Sequence, residues 1–446
     1  MQVFLTSLGC RLNEAELQTW AHQFNEAGFS IASKAENARL IVMNSCAVTQ
    51  EAVRKSRQSV RRLKKQNPDA KLIVSGCFAT LNTEEVAEML GVDLVVTNSE
   101  KDQLSKLGLD LLGSTHSAVC EEEAHDRPPA LFQLGRQRAF IKVQDGCRYR
   151  CTFCIVTIAR GDEVSRPVGE IVDEVNRLVN QNVQEIVLTG VHLGGYGHDV
   201  SSSLPELIQT ILDETDIPRL RMGSLEPWEL NETFFGLFEN PRMMPHLHLP
   251  MQSGSDTVLQ RMARRCKTTD FSTMINTMRG VIANLNITTD MIAGFPGETE
   301  SEWQQTLDFV EQMQFGNIHI FPYSPRQGTR AASLTNQVDP AIRKARASQL
   351  STLSRKLKAN TMQTMLGQVT PVLWEGKQSL VDENMPLVFG YTPNYVRVAI
   401  HKECSTSILG NSITRVKLIC MASNNQYVLV EPDITQQPLI AEQNYY

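Results

Sequence analysis

The chain has 446 residues, 41% hydrophobic and 21% charged, an ordinary globular composition with enough length for about three domains. No apolar run reaches the 18 or more residues of a spanning helix. The opening MQVFLTSLGC lacks the basic start and the apolar length of an export signal, so a cytoplasmic location is expected. With 43 basic against 49 acidic residues the net charge is −6, so whole-molecule charge gives no sign of a polyanionic partner, while a local basic patch does.

The first 110 residues alternate short apolar runs with helical patterns, as a parallel sheet with crossover helices requires. Val3 to Leu8, Leu40 to Asn44, Leu72 to Ser75 and Leu94 to Thr97 read as strands, with helices beginning near Asn13, Thr49, Thr83 and Lys101. Three of the four strands are followed almost at once by a cysteine: Cys10 in SLGC, Cys46 in NSC and Cys77 in SGC. Sites in open α/β sheets form outside the carboxyl ends of the strands, so these three thiols are candidate ligands of one centre. Buried small hydrophobes are the plainer alternative.

From Gly113 to Gly135 periodicity is lost and Ser, Glu, Asp and a Pro-Pro pair accumulate, marking a linker. A second series then begins, with strands expected at Ala139 to Val143, Glu185 to Thr189, Arg219 to Gly223, His246 to Leu249, Ile287 to Ile292 and Asn317 to Phe321. Helical patterns at Gly169 to Asn180, Leu204 to Asp213, Thr269 to Ala283 and Glu300 to Met313 separate most of them. Six such units predict a partial or complete α/β barrel with its site at the C-terminal face. A long polar helix over Arg343 to Met365 leads into β-rich runs from Gln368 that predict a small all-β barrel. The α/β reading therefore has an N-terminal flavodoxin-like parallel sheet, a partial TIM-like (β/α)6 barrel and a C-terminal β-barrel. Its expected limits are 1–112, a linker over 113–135, 136–366, 367–434, and a tail over 435–446.

Ten cysteines in a chain read as cytosolic point to metal or catalytic chemistry rather than a disulfide framework. The strongest local signal is Cys147-Arg-Tyr-Arg-Cys151-Thr-Phe-Cys154, directly after the first barrel strand. Three thiolates so spaced can hold three irons of a four-iron cube and leave the fourth open to a substrate, whereas structural zinc would need a fourth ligand from elsewhere. The spacing resembles the radical S-adenosylmethionine signature, in which the open iron chelates S-adenosylmethionine and electron transfer releases a 5'-deoxyadenosyl radical. Thr189 and Gly190 at the end of the second barrel strand are candidate cofactor contacts. So are Asp290, Gly294 and Gly297 around the fifth, where glycines permit close backbone approach. His192 and Tyr196 lie near the expected mouth, with His192 read as a hydrogen-bonded structural histidine.

Taken together, the chain resembles the methylthiotransferases of the radical S-adenosylmethionine superfamily over nearly its whole length. Cys10, Cys46 and Cys77 match that family's N-terminal domain, Cys147, Cys151 and Cys154 its radical core, and Gln368 to Pro432 its C-terminal TRAM module, an RNA-binding β-barrel. The resemblance implies two [4Fe-4S] clusters, one on each trio, and two uses of S-adenosylmethionine, as methyl donor and as radical source. SLGCRLNEAE resembles the branch that modifies C2 of N6-threonylcarbamoyladenosine at tRNA position 37. CAVTQEAVRKSRQ, VQDGC, SLEPWEL and HLPMQSGSDTVLQRM point the same way, although Ser45, Thr157 and Cys266 stand where the family more often has Thr, Pro and Tyr.

A tRNA anticodon stem-loop would be met by basic side chains and aromatic platforms. In Arg54 to Lys65 seven of twelve positions are basic and none acidic, which predicts phosphate contact by Arg54, Lys55 and Arg57, with a solvated helix face as the alternative. Tyr391, Tyr395 and Arg397 in the β-barrel are the corresponding stacking and phosphate candidates. The family reaction also implies an electron donor such as flavodoxin or ferredoxin, while the sulfur source is not indicated. Competing expectations are the same chemistry on isopentenyladenosine or a ribosomal protein, and a non-catalytic iron-sulfur RNA-binding or electron-transfer protein. Cys120, Cys266, Cys404 and Cys420 have no partner at ligand spacing and receive no role.

Overall fold

A computed structural model describes residues 1–113, 137–380, 386–404 and 410–433. The linker and tail read from the sequence, and Cys120, fall almost entirely or wholly outside these ranges. The described chain divides into two compact units, Met1–Ser354 and Arg355–Tyr446. No helix among the described residues is long and apolar enough to cross a membrane.

The first unit opens with strands β1 (Gln2–Ser7), β2 (Ser30–Ile31), β3 (Leu40–Ser45), β4 (Lys71–Gly76) and β5 (Leu94–Val96). They form a five-stranded sheet in the order β2-β1-β3-β4-β5, the flavodoxin-like order, with parallel pairing throughout. β3 reads Leu-Ile-Val-Met-Asn-Ser and is buried at every position, as a central strand covered by helices on both faces should be. The covering helices are α1 (Arg11–Glu26), α2 (Gln50–Gln66), α3 (Cys77–Leu81), α4 (Thr83–Ala87) and α5 (Leu104–Leu111). One core face gathers Ile41, Met43, Val60, Leu72 and Phe78; the other gathers Val3, Trp20, Phe24, Leu40 and Ile73. The helix expected near Thr83 is α4, which begins there; a further short helix, α3, precedes it and is separated from it at Asn82, whose φ of −134° is not helical.

Next come β6 (Ala139–Lys142), β7 (Gln144–Asp145), α6 (Val156–Arg160), β8 (Val164–Ser165), α7 (Val168–Asn180), β9 (Glu185–Thr189), α8 (Leu204–Glu214), β10 (Arg219–Met222), α9 (Glu232–Gly236) and β11 (His246–His248). They are followed by α10 (Asp256–Arg261), α11 (Thr268–Val281), β12 (Asn286–Ala293), α12 (Glu300–Met313), β13 (Asn317–Pro322) and α13 (Pro340–Gln363). Parallel ladders run β6-β9-β10 and β11-β12-β13, and the bridges Leu220↔Met243 and Ser224↔His248 join the two groups. The six strands therefore curve into one partial α/β barrel, as expected. β7 and β8 make a small separate ribbon between the first barrel strand and its helix.

The second unit is a closed barrel of β14 (Val369–Leu380), β15 (Pro386–Tyr391), β16 (Arg397–His401), β17 (Ile413–Met421) and β18 (Val428–Pro432) in the order β14-β15-β16-β18-β17. Its interior packs Trp374 against Val372, Val398, Ile400, Val416 and Leu418. The buried indole N–H is satisfied by Thr414 Oγ1 at 2.7 Å, as a buried tryptophan requires.

Candidate functional site

Register decides where the first cysteine trio emerges. Ser7 pairs with Asn44, and Ser45 with Gly76, so β1, β3 and β4 end level and deliver Cys10, Cys46 and Cys77 to one edge of the sheet. Cys10 caps α1 and Cys77 is the first residue of α3. Gly9 adopts φ +108°, and a Cβ built there would stand 2.7 Å from Cys46 Sγ; glycine thus makes room for the thiol and supplies a backbone conformation that other residues avoid. The Cys46 loop is tied down by Ser56, whose Oγ accepts from Cys46 N–H at 3.2 Å and donates to its carbonyl at 3.0 Å.

Asn13 organises the same edge. Its Nδ2 donates to the carbonyls of Leu8 at 2.7 Å and Ser45 at 3.3 Å, while its Oδ1 accepts from Cys10 Sγ at 3.6 Å. Asn98 Nδ2 donates to the Ala159 carbonyl at 2.8 Å and stands 3.9 Å from Cys77 Sγ. Burial pushes the Cys46 thiol up to about 11, and the charges that Cys10 and Cys77 would carry push the same way. Three mutually repelling thiolates in such a place ionise together only against a strong positive charge, and a bound metal centre provides it.

The second trio occupies the loop between β7 and α6, at the mouth of the first barrel strands. Gly146, at φ +70°, brings the chain so close to Asp162 that a Cβ would meet its carbonyl oxygen at 1.8 Å. Cys147 N–H then donates to the Gly161 carbonyl at 3.1 Å and Cys154 N–H to the Cys151 carbonyl at 3.0 Å. Thr152, between the cysteines, fastens the loop through its N–H to Met262 O at 3.0 Å and its hydroxyl to Arg261 O at 3.0 Å. Burial and the neighbouring Cys154 and Cys151 push Cys147 up to about 12. Both trios fit an iron-sulfur cube by the same chemistry: three thiols, on three converging loops in the first case and on one tight loop in the second, whose shared ionisation needs a metal.

His192, expected near this mouth, is joined there by Glu163, Glu229 and Arg264, which spacing could not reveal. Cys147 Sγ, a Glu163 carboxylate oxygen and a His192 ring nitrogen lie within 4.8 Å of one another. His192 Nδ1 is 2.5 Å from Glu163 Oε1 and its Nε2 3.3 Å from Glu229 Oε1. Burial opposes its protonation, but the two carboxylates win and raise its pKa. Tyr149 hydrogen-bonds Glu229 and packs edge-on to His192 and Trp228. Arg264, 3% exposed, sits 2.7 Å from Glu226 and 3.9 Å from Cys151 Sγ. Tyr196 donates its hydroxyl to the Arg166 carbonyl at 2.7 Å, a purely structural setting.

The other sequence candidates are distributed more widely. Thr189 ends β9, buried, its carbonyl accepting Val143 N–H at 3.0 Å, and Gly190 follows against the Gln144 side chain. Asp290 lies mid-strand in β12, its Oδ1 3.1 Å from His248 Nε2 and 3.2 Å from His319 Nδ1. Gly294 and Gly297 form a turn in which Gly294 N–H donates to the Glu298 carboxylate at 2.8 Å, with the Arg343 stem filling the space beside Gly294. On α2, Arg54 pairs with Glu51 at 2.6 Å, Lys55 approaches the same carboxylate at 3.8 Å, and Arg57 pairs with Glu85 at 2.6 Å. In the second unit Tyr391 and Tyr395 stack at 4.7 Å between ring centroids and Arg397 lies 3.9 Å over the Phe389 ring. Cys266 is buried, donates to the Lys267 carbonyl at 3.4 Å and belongs to neither trio.

Comparison with known proteins bears on these sites. Residues 2–97 match the family described as Uncharacterized protein family UPF0004, and residues 141–310 match the Radical SAM superfamily. The chain is 36% identical over 377 residues to a threonylcarbamoyladenosine tRNA methylthiotransferase of Thermotoga maritima, covering 84% of this chain and 86% of that one. It is 33% identical over 445 residues to the protein of the same name from Bacillus subtilis, with 96% and 97% covered. A tRNA-2-methylthio-N(6)-dimethylallyladenosine synthase of Methylacidiphilum infernorum is 33% identical over 393 residues, with 84% of each chain covered. Among solved structures, the radical S-adenosylmethionine methyltransferase TsrM of Kitasatospora setae superposes with a TM-score of 0.53 at 14% identity, covering 74% of this chain and 77% of that one, a likeness of fold.

Proposed function

The chain belongs to the methylthiotransferase family of the radical S-adenosylmethionine superfamily, and from that premise we propose that it adds a methylthio group to C2 of N6-threonylcarbamoyladenosine at position 37 of tRNA. The observation that carries the proposal is the pair of cysteine trios, one gathered at the carboxyl edge of the N-terminal sheet and one on the loop at the mouth of the barrel, within one compact unit. Two [4Fe-4S] clusters and S-adenosylmethionine, when bound, supply the radical that activates an unreactive C–H bond and the methylated sulfur that replaces the hydrogen.

This chain's residues do the holding. We assign Cys10, Cys46 and Cys77 to one cluster and Cys147, Cys151 and Cys154 to the other. Each trio leaves one iron without a protein ligand, the feature that separates this chemistry from a simple electron carrier. Thr189, Gly190, Asp290, Gly294 and Gly297 are assigned to S-adenosylmethionine. Arg54, Lys55, Arg57, Tyr391, Tyr395 and Arg397 are assigned to the anticodon stem-loop, and we assign the domains to 1–112, 136–366 and 367–434. The reaction consumes electrons, so a flavodoxin or ferredoxin is the partner by chemistry, and the site of action is the cytoplasm.

Mass spectrometry of tRNA nucleosides tests the assignment in cells lacking the protein, restored with wild type, Cys46→Ala or Cys151→Ala. The expected result is loss of 2-methylthio-N6-threonylcarbamoyladenosine that only the wild type restores. Loss of the dimethylallyl derivative instead would move the substrate while keeping the reaction. An unchanged profile in cells with no second such enzyme would reject a tRNA substrate.

A further inference from the structure

Arg160 ends α6, the five-residue helix that starts directly after the second cysteine loop, yet its guanidinium points at the first trio. Its side chain is 1% exposed. Nη2 donates to Asn13 Oδ1 at 2.9 Å, the same oxygen that accepts from Cys10 Sγ at 3.6 Å. Nη1 donates to Glu16 Oε1 at 2.9 Å and to Asp145 Oδ1 at 3.1 Å. Asp145 lies two residues before Cys147, and Asn13 three residues after Cys10. One buried side chain therefore ties the start of one cysteine loop to the start of the other. The positive charge of Arg160 acts on Cys10, Cys46 and Cys77, and α6 packs on α3, which begins at Cys77.

The network around it brings several charges together. Lys101 Nζ is 2.7 Å from Glu16 and also bonds Asp145, and Lys142 Nζ is 3.7 Å from Asp145. Lys142 also reaches the exposed Asp102 at 3.9 Å, so three cations meet three carboxylates, with Arg160, Lys101 and Glu16 as the buried centre of the network. Buried charge is costly unless it is paired; Glu16 and Asp145 pair Arg160 on one side, and the thiolates of the adjoining trio are further anions on which its charge acts. A cluster held by three thiolates becomes more negative on reduction, so a fixed neighbouring cation favours its reduced form.

We propose that Arg160 is a positioning residue common to both cysteine sites: it locks the two loops in one arrangement and sets the reduction potential of the N-terminal cluster by placing a permanent positive charge beside it. Glu16 acts in the opposite sense, as the anion that tempers that charge. The inference rests on the reading above that the N-terminal trio holds a cluster.

The test uses the full chain with Cys147→Ala, Cys151→Ala and Cys154→Ala, which leaves the N-terminal cluster as the sole one, and follows its reduction by redox titration with electron paramagnetic resonance. Arg160→Gln is expected to move the midpoint to a more negative potential, Arg160→Lys to restore most of the shift, and Glu16→Gln to move it to a more positive one. A role confined to folding would lower iron and sulfide content in all three variants without shifts of opposite sign. Loaded protein whose midpoint is unmoved by Arg160→Gln, or shifts of one sign for both residues, overturns the proposal. Should Arg160→Gln fail to load, Arg160→Lys and Glu16→Gln decide it, and an unmoved midpoint in both overturns it. Absence of any cluster in the parent would instead defeat the functional reading and this inference with it, whereas a cluster with unmoved potentials defeats this inference alone.

Discussion

Gly9 shows how one missing side chain shapes a site. Its φ of +108° lies where side-chain-bearing residues are strained, and its missing Cβ is occupied at 2.7 Å by Cys46 Sγ and at 2.8 Å by Cys46 Cβ. Gly9→Ala therefore has to displace the Cys46 loop or distort its own backbone, at about 1–3 kcal/mol. The expected outcome is a protein that keeps its core cluster and loses the N-terminal one, so that iron and sulfide fall to roughly half. Full iron content with unchanged thermal stability would show that the loop tolerates the shift. Cys266 makes the contrast: burial pushes its thiol up to about 12, it belongs to neither trio, and Cys266→Ala should retain the iron of the wild type in the same assay.

At the scale of elements, β9 places Glu185, 0% exposed, under three arginines. Arg221 donates to it at 3.1 and 3.2 Å, Arg138 lies at 3.2 Å and Arg219 at 3.7 Å. Burial by itself would raise the carboxyl, but the guanidinium groups prevail and hold it down at about 2. In the unfolded chain the carboxyl titrates near its ordinary value of about 4.5, so the unfolded state takes up the proton first as pH falls. The stabilisation is then fully present above about 4.5 and is lost on the way down to about 2. Glu185→Gln leaves three buried cations without their anion and is expected to cost about 3–5 kcal/mol at neutral pH. Denaturant titrations of the cluster-free protein should show the gap between wild type and variant closing across that acid window. A gap independent of pH would mean that shape, and not charge, is what Glu185 contributes.

The same elements show what is legible in the chain and what is not. Apolar runs such as Glu185–Thr189 and helices such as Glu300–Met313 carry their own period, and the structure has them at those limits. The parallel class of the first sheet and the all-β character of the C-terminal barrel follow from such runs. β2 is two residues long and leaves no periodic trace. The cysteine loops are legible because thiols at strand ends are chemically conspicuous whatever surrounds them. Arg160, Glu16 and Asp145 are not: the Arg160–Glu16 pair joins residues 144 apart, and until the chain folds each is an ordinary charged residue in an ordinary helix or loop. His192 is legible as a hydrogen-bonded histidine near the barrel mouth because it follows the end of β9, but its partners Glu163 and Glu229 come from distant segments that no local pattern links to it.

At the scale of the whole molecule, a net charge of −6 has to be reconciled with a polyanionic substrate. α2 supplies a basic face whose charges are partly committed: Arg54 and Lys55 share Glu51, and Arg57 is bidentate to Glu85 at 2.6 and 3.0 Å. Exposed pairs of this kind contribute little to stability and exchange readily for phosphate, which offers the same oxygen geometry with more charge. The barrel offers the other kind of grip that the proposal invokes, the Tyr391–Tyr395 stack and Arg397 over the Phe389 ring. Charge and stacking are distinguishable by salt. Reversing Arg54, Lys55 and Arg57 to Glu should weaken tRNA binding steeply and lower the slope of log affinity against log salt by about one for each phosphate no longer neutralised. Tyr391→Ala with Tyr395→Ala should weaken binding by about 1–3 kcal/mol per stacked base while leaving that slope in place. If both units grip one RNA, the two effects combine in the joint variant, as they do for two linked binding modules. If the joint variant binds no worse than the α2 variant alone, the barrel's aromatic pair is part of its own core and the RNA is held elsewhere.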